Sequence, residues 1–227
     1  MTDGPHDIDC CDGECCGCAA GTSDLGSAEV EFGDHRLDVD QLTVRAATFR
    51  LLLEKGGSVP VASVAAATHL DADTVRRVFD GFATTGNIKL HGGNVIGIAG
   101  LSVEATRHRI ELAGGARWTW CALDAIGIVG AIGDGVIHSD IDNGCVRLEV
   151  RGGEIEVNDL VVLVPDSYGL TSSVDQWCPL ANFFPTAEAA TAWAERNQVN
   201  GQAIHMTAIA PQLIERWSAL LDHHQSQ

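Results

Sequence analysis

The sequence predicts an α+β fold: an N-terminal winged-helix-like helical module, then a mainly antiparallel domain of mixed sheet and helix. Three observations predict it. Apolar residues recur at helical spacing three times between residues 42 and 86. Short strand-like runs dominate the following hundred residues. Those runs do not alternate regularly with helices, as a parallel sheet would require.

In chain order, LTVRAATFRLLLEK (42–55) has the helical period and stops at Gly56-Gly57. Ser58 and Pro60 open a second helix, VASVAAATHL. Asp71 caps a third, ADTVRRVFDGFATTG, which stops at Gly86. IKL, a turn at HGGN and VIGIAGL then form a hairpin, which completes the winged-helix pattern. VEATRHRIEL (103–112) alternates like a strand. VIHSD, CVRLEV, EIEV and LVVLVP are strand-like, TAEAATAWAERN (186–197) is an amphipathic helix, QAIHMTAIA resembles a strand, and PQLIERWSALLDHH closes as a helix. The expected organisation is a disordered acidic cysteine-rich tail over 1–38, the helical module over 39–101 and a larger α+β domain over 102–227.

Composition excludes several classes of function. A content of 45% hydrophobic and 20% charged residues is that of a globular protein. A formal charge of −17 with 14 basic residues argues against nucleic acid and against anionic membrane surfaces. The third helix sets Arg76 and Arg77 against Asp71, Asp73 and Asp80, a poor surface for a DNA groove. No apolar run reaches the ~18 residues of a membrane span, and MTDGPHDIDCC is not a secretion signal. The expected compartment is the cytoplasm, where the eight cysteines are reduced thiols.

Five of those cysteines, Cys10, Cys11, Cys15, Cys16 and Cys18, crowd into CCDGECCGC within the acidic tail. They are candidate ligands for a soft metal ion, against the plainer reading of a zinc-binding or oxidation-prone tail. The others are Cys121, Cys145 and Cys178. The segment RWTWCALDAIGIVGAIG puts Cys121 three residues before Asp124 in apolar surroundings. An isolated cysteine there is ordinarily a small hydrophobe. An aspartate is not dismissed so easily, because a buried carboxylate needs a partner or a raised pKa. If the segment is helical, the two form an i,i+3 pair on one face, with the makings of a nucleophile and a proton shuttle. Cys178, in DQWCPLANFF, supplies a second thiol. No histidine stands in a cysteine-hydrolase signature, whereas two thiolates suit a soft metal and a carboxylate can move its protons.

WCALD, the segment DQWC…NFFPTAE…WAERN and the helical module ahead of them resemble the organomercurial (alkylmercury) lyases, from about residue 40 to 220. The resemblance implies cleavage of carbon–mercury bonds by protonolysis, giving a hydrocarbon and Hg(II). It implies no organic cofactor, and an excess of low-molecular-weight thiol to remove the product. By position, Cys121 and Cys178 match the family's catalytic cysteines and mercury ligands, and Asp124 its catalytic aspartate. There are departures. Asp140 falls where many members carry a structural cysteine, with Cys145 five residues on, and Pro179 stands where some members have a further cysteine. These concern packing rather than the reacting groups. A mercuric reductase is an implied partner for the Hg(II), and the tail thiols are candidate acceptors of it. Two rival readings stand beside the lyase. One is a non-catalytic thiol protein that binds or transfers Hg or Cu, which would need the cysteines but not Asp124. The other is a transcriptional regulator built on the helical module, which the charge disfavours.

Overall fold

The computed structural model describes residues 37–141, 144–155, 159–166 and 172–223. The expectations for a disordered tail and for metal binding by Cys10, Cys11, Cys15, Cys16 and Cys18 lie outside the described residues.

Helix α1 (Val39–Lys55) starts three residues ahead of the apolar period, because Asp38 and Gln41 form a capping box. Asp38 Oδ1 accepts from Gln41 N at 2.8 Å, and Gln41 Oε1 accepts from Asp38 N at 3.0 Å. The helix ends at Gly56, in the left-handed conformation at φ 63°. Strand β1 (Val59–Pro60) and helix α2 (Val61–Thr68) follow. Asp71 caps α3 (Ala72–Thr84) through the amides of Asp73 and Thr74, and Val75, Val78, Phe79 and Phe82 form its buried stripe. Strands β2 (Ile88–His91) and β3 (Asn94–Ile98) make the expected hairpin, turning at Gly92 and Gly93.

Strand β4 (Leu101–Ser102) carries this hairpin into β5 (His108–Leu112), β6 (Gly115–Thr119), β7 (Gly135–Ile141), β8 (Gly144–Arg151) and β9 (Glu154–Ile155). The sheet order is β1-β3-β4-β6-β5-β7-β8-β9, with β2 also on β3, so one nine-stranded sheet runs through residue 101. The strand expected over 103–112 begins only at His108. Before it, local bonds hold the chain out of the ladder: Ser102 Oγ accepts from Glu104 N, and Thr106 Oγ1 donates to Thr119 O. β6 was not legible as a strand, because GARWT is short and opens on glycine.

A second sheet, in the order β11-β10-β12, joins β10 (Val161–Pro165), β11 (Phe183–Phe184) and β12 (Gly201–His205). Every strand pairing among the described residues is antiparallel. Val161 and Leu163 face α5 (Ala187–Asn197) in a small separate core, whereas Val162 faces the main one, as strand alternation dictates. The expected strand over QAIHMTAIA is half right. Pairing ends where Leu160 O accepts from Met206 N, and α6 (Met206–Asp222) begins there, with Pro211 inside the helix rather than at its start.

Helix α4 (Ala122–Ile132) runs through the main core, buried from Ala122 to Gly130. Helix α6 lies against it at close range. A Cβ on Gly127 would collide with the Trp217 ring, and one on Gly130 with Ile214. The two glycines are grooves for those side chains. Each large side chain sealed here, such as Trp217 or Ile126, contributes about 1.5–3 kcal/mol through burial.

Candidate active site

Cys121 is the N-cap of α4 rather than a residue on its face. The chain arrives extended from β6, and Thr119 Oγ1 donates to Cys121 O at 3.0 Å, which fixes the corner. The relation to Asp124 is therefore that of N-cap to third helical residue. The Asp124 backbone N–H donates to Cys121 Sγ at 3.4 Å, and the Cys121 thiol donates to Asp124 Oδ2 at 3.0 Å. A thiol here fills the place of the usual capping hydroxyl and keeps its proton aimed at a carboxylate.

Cys178 lies on a helical connection. Ser172 caps one wide turn, Ser173–Trp177, and Cys178–Leu180 tightens into a 3-10 turn opened by Pro179. Ala181 O accepts from the Ala122 backbone N–H at 3.0 Å, so this connection is bonded to the first turn of α4. That bond brings Cys178 to Cys121. The two sulfurs and a carboxylate oxygen of Asp124 all lie within 4.8 Å of one another, and all three residues are buried. This is the one such grouping of His, Cys, Asp and Glu ligand atoms among the described residues.

Burial sets the protonation of the pair. It pushes the Cys121 thiol well above its ordinary value, and the Cys178 sulfur and the Asp124 charge push the same way. Burial likewise raises Asp124 to about 6, opposed by the bond from Cys121 and by the charges of Arg216 and Arg45. At neutral pH the resting pair is thus a neutral thiol hydrogen-bonded to a carboxylate. His108 is no base for it: burial, assisted by the Arg107 charge and opposed by a bond with Asn182, pulls its pKa down to about 3. Its Nδ1 is bonded to Ser139 Oγ at 2.7 Å.

Three contributors escaped the sequence reading. Gly100, at φ 83° in the turn between β3 and β4, lies so close to the acid that a Cβ would collide with Asp124 Cγ and Oδ1. The same turn is tied down by Trp217 Nε1 donating to Ala99 O and by Trp120 N donating to Gly100 O. Arg45 on α1 and Arg216 on α6 supply positive charge to the carboxyl. Arg45 had a signal: a cation between Val44 and Ala46 in an apolar helical run. Arg216 and Gly100 had none without their neighbours in space. Asp140 and Cys145 turn out to be paired opposite each other on β7 and β8, and neither belongs to the grouping of Cys121, Asp124 and Cys178.

The alkylmercury lyase family model matches residues 101–218. An alkylmercury lyase of Staphylococcus epidermidis is 30% identical over 153 residues, spanning 64% of this chain and 69% of the relative. One of Streptomyces lividans is 27% identical over 157 residues, spanning 65% and 70%. The fold is shared with a solved mercury-bound form of MerB2, with a TM-score of 0.72 at 22% identity over 82% of this chain and 94% of that one. The chain belongs to the alkylmercury lyase family, enzymes that cleave carbon–mercury bonds.

Proposed function

We propose that Cys121, Cys178 and Asp124 carry out that cleavage on an organomercurial R–Hg–X by protonolysis. The observation that carries the assignment is the Cys121 thiol donating to Asp124 at 3.0 Å with Cys178 alongside. As the Cys121 sulfur bonds to mercury, its proton passes along the existing hydrogen bond to Asp124 and X leaves. The mercury-bound sulfur can no longer donate to the carboxyl, so one influence that lowered the acid's pKa disappears and the proton is held more firmly. The resulting mercaptide sits at the N-terminus of α4, where the helix dipole favours negative charge. Cys178 adds to the same mercury, and the added sulfur donation weakens the Hg–C bond. Asp124 then gives its proton to carbon. R–H departs and Hg(II) remains on the two sulfurs. Of the two thiol protons, one ends on carbon and the other leaves with X.

The site seals the proton from bulk water, because Asp124 is 8% exposed and the Gly100 turn lies over its carboxyl. Ala122, Leu123, Ile126 and Ile128 contribute to the dry surroundings. We assign release of Hg(II) to low-molecular-weight thiols, with a mercuric reductase as its recipient. Cys10, Cys11, Cys15, Cys16 and Cys18 are assigned as a tethered intermediate acceptor. Reduced thiols are required throughout, which favours a cytoplasmic setting. No helix among the described residues is long and apolar enough to cross a membrane. The test is incubation with phenylmercury and excess thiol, with benzene followed by gas chromatography. Release of benzene by the wild type and its loss in Asp124→Asn, with mercury still bound, is the expected result. Benzene release unchanged in that variant would remove Asp124 from the mechanism.

A further inference from the structure

Beside the dithiol site lies a cavity of about 170 Å³ whose walls include Trp120 and Pro179, the immediate chain neighbours of Cys121 and Cys178. Its other walls carry Lys89 from β2 and Thr106, Arg107 and His108 from the approach to β5. Among the described residues no carboxylate lines it. In a chain of formal charge −17, two cations on so small a cavity are a local reversal of sign. The cavity is also bonded to the thiol segment: Arg107 Nη1 donates to Asn182 Oδ1 at 3.3 Å, and Asn182 Nδ2 donates to Pro179 O at 2.9 Å. The indole Nε1 of Trp120, a residue 7% exposed, has no hydrogen-bond partner.

We propose that this cavity is a carboxylate-binding subsite for the small thiol that removes Hg(II) from Cys121 and Cys178. The proposal rests on the function assigned above and names the chemistry of its last step. In that step two protein–mercury bonds break and two bonds to small thiols form. Each incoming thiol leaves its proton on the sulfur it displaces, and no oxidant or reductant takes part. An acid-rich protein repels anionic thiols, so a cationic patch beside the metal raises their local concentration where it counts. Lys89 and Arg107 hold the carboxylate, and the thiol end lies toward the two cysteines. The organic group R varies between substrates, whereas removal of Hg(II) by a thiol ends every turnover of the proposed reaction. That argues for the thiol as occupant.

The experiment uses the full chain with Cys10→Ser, Cys11→Ser, Cys15→Ser, Cys16→Ser and Cys18→Ser, loaded with one equivalent of HgCl2. Release of Hg(II) is followed with mercaptoacetate, 2-mercaptoethanol and cysteamine, compared at equal thiolate concentration. Mercaptoacetate should act at about tenfold lower concentration than 2-mercaptoethanol, as two partly exposed charge contacts together allow, with cysteamine the least effective. Lys89→Glu and Arg107→Glu should compress or reverse that order. An order unrelated to thiol charge in the wild type, or the same order in the variants, overturns the proposal. A carboxylate on R is the alternative occupant. A preference for carboxyphenylmercury over phenylmercury in a single turnover, without any thiol preference, would assign the cavity to R and overturn the thiol reading. Benzene release in that single turnover tests the lyase reading separately, because Hg(II) release from the loaded protein does not depend on it.

Discussion

Replacing Asp124 with Asn should abolish turnover and, at alkaline pH, make the protein more stable. The Asp124 carboxyl has a native pKa of about 6 against an ordinary 3.8. Its native value lies above its unfolded one, so the folded state binds the proton more tightly. The contribution of this group to stability is highest below pH 3.8, falls as pH rises to 6, and is flat beyond. Roughly two pH units at about 1.4 kcal/mol each amount to a cost of about 3 kcal/mol for holding the carboxylate buried at pH 8. Asparagine removes that cost but weakens the bond from the Cys121 thiol, a loss of about 1 kcal/mol. The net expectation is a gain of about 2 kcal/mol at pH 8, or roughly 4–8 °C in Tm for a chain of this size. At pH 4 most of that cost has gone, and the variant should be slightly less stable than the parent. Urea unfolding of both proteins at pH 8 and pH 4, under reducing conditions and without mercury, measures it. A variant less stable than wild type at pH 8, or a stability difference that does not change with pH, would refute the reasoning.

Cys121→Ser and Cys178→Ser should each lower benzene production from phenylmercury by at least about a hundredfold, because an alcohol is a poor mercury ligand at neutral pH; wild-type rates in either variant would remove that residue from the site. Gly100→Ala must adopt a left-handed backbone at a cost of about 1 kcal/mol and displaces the Asp124 carboxyl, so kcat should fall by up to about a hundredfold and the pH profile should shift, while circular dichroism stays native. An unmoved pH profile would mean that the turn does not set the acid. Deleting residues 1–20 should leave a single turnover intact and slow repeated turnover only when external thiol is scarce, since a tethered thiol cluster acts near millimolar concentration; equal rates at low thiol would exclude the tail as an acceptor. Residues 41–101 should not bind duplex DNA specifically, because Arg76 is paired with Asp73 at 2.7 Å and Arg77 donates to Thr74; sequence-specific retardation at physiological ionic strength would contradict this.

How far the sequence carried the fold depended on the range of the interactions involved. Asp71, Gly56 and the stripe Val75, Val78, Phe79 and Phe82 act within a turn or two of helix, and they were readable. β6 and the true start of α6 depend on pairing with distant segments, with Ser102, Thr106 and Leu160 deciding where ladders stop. At the site, Cys121 and Asp124 were close enough in sequence to be suspected together. Their relation as cap and third helical residue, rather than as neighbours on a helix face, depended on where α4 begins. Nothing local brings Cys178 to them. The bond from Ala122 N to Ala181 O does, and only the resemblance to a family anticipated it. Gly100 illustrates the remainder, since its need to be glycine comes from a carboxyl 24 residues away along the chain.

The seating of α6 on α4 has a consequence for how the protein is made. Trp217 fills the groove at Gly127 and reaches across to the Ala99 carbonyl, so the wall behind the acid and the turn over it both wait for one late helix. During synthesis Cys121, Asp124 and Cys178 leave the ribosome well before residue 217 does. Until that helix docks, the face of α4 that Trp217 and Ile214 cover stands open to water. The acid is therefore enclosed only once a residue 93 positions further along the chain, Trp217, has been made and seated.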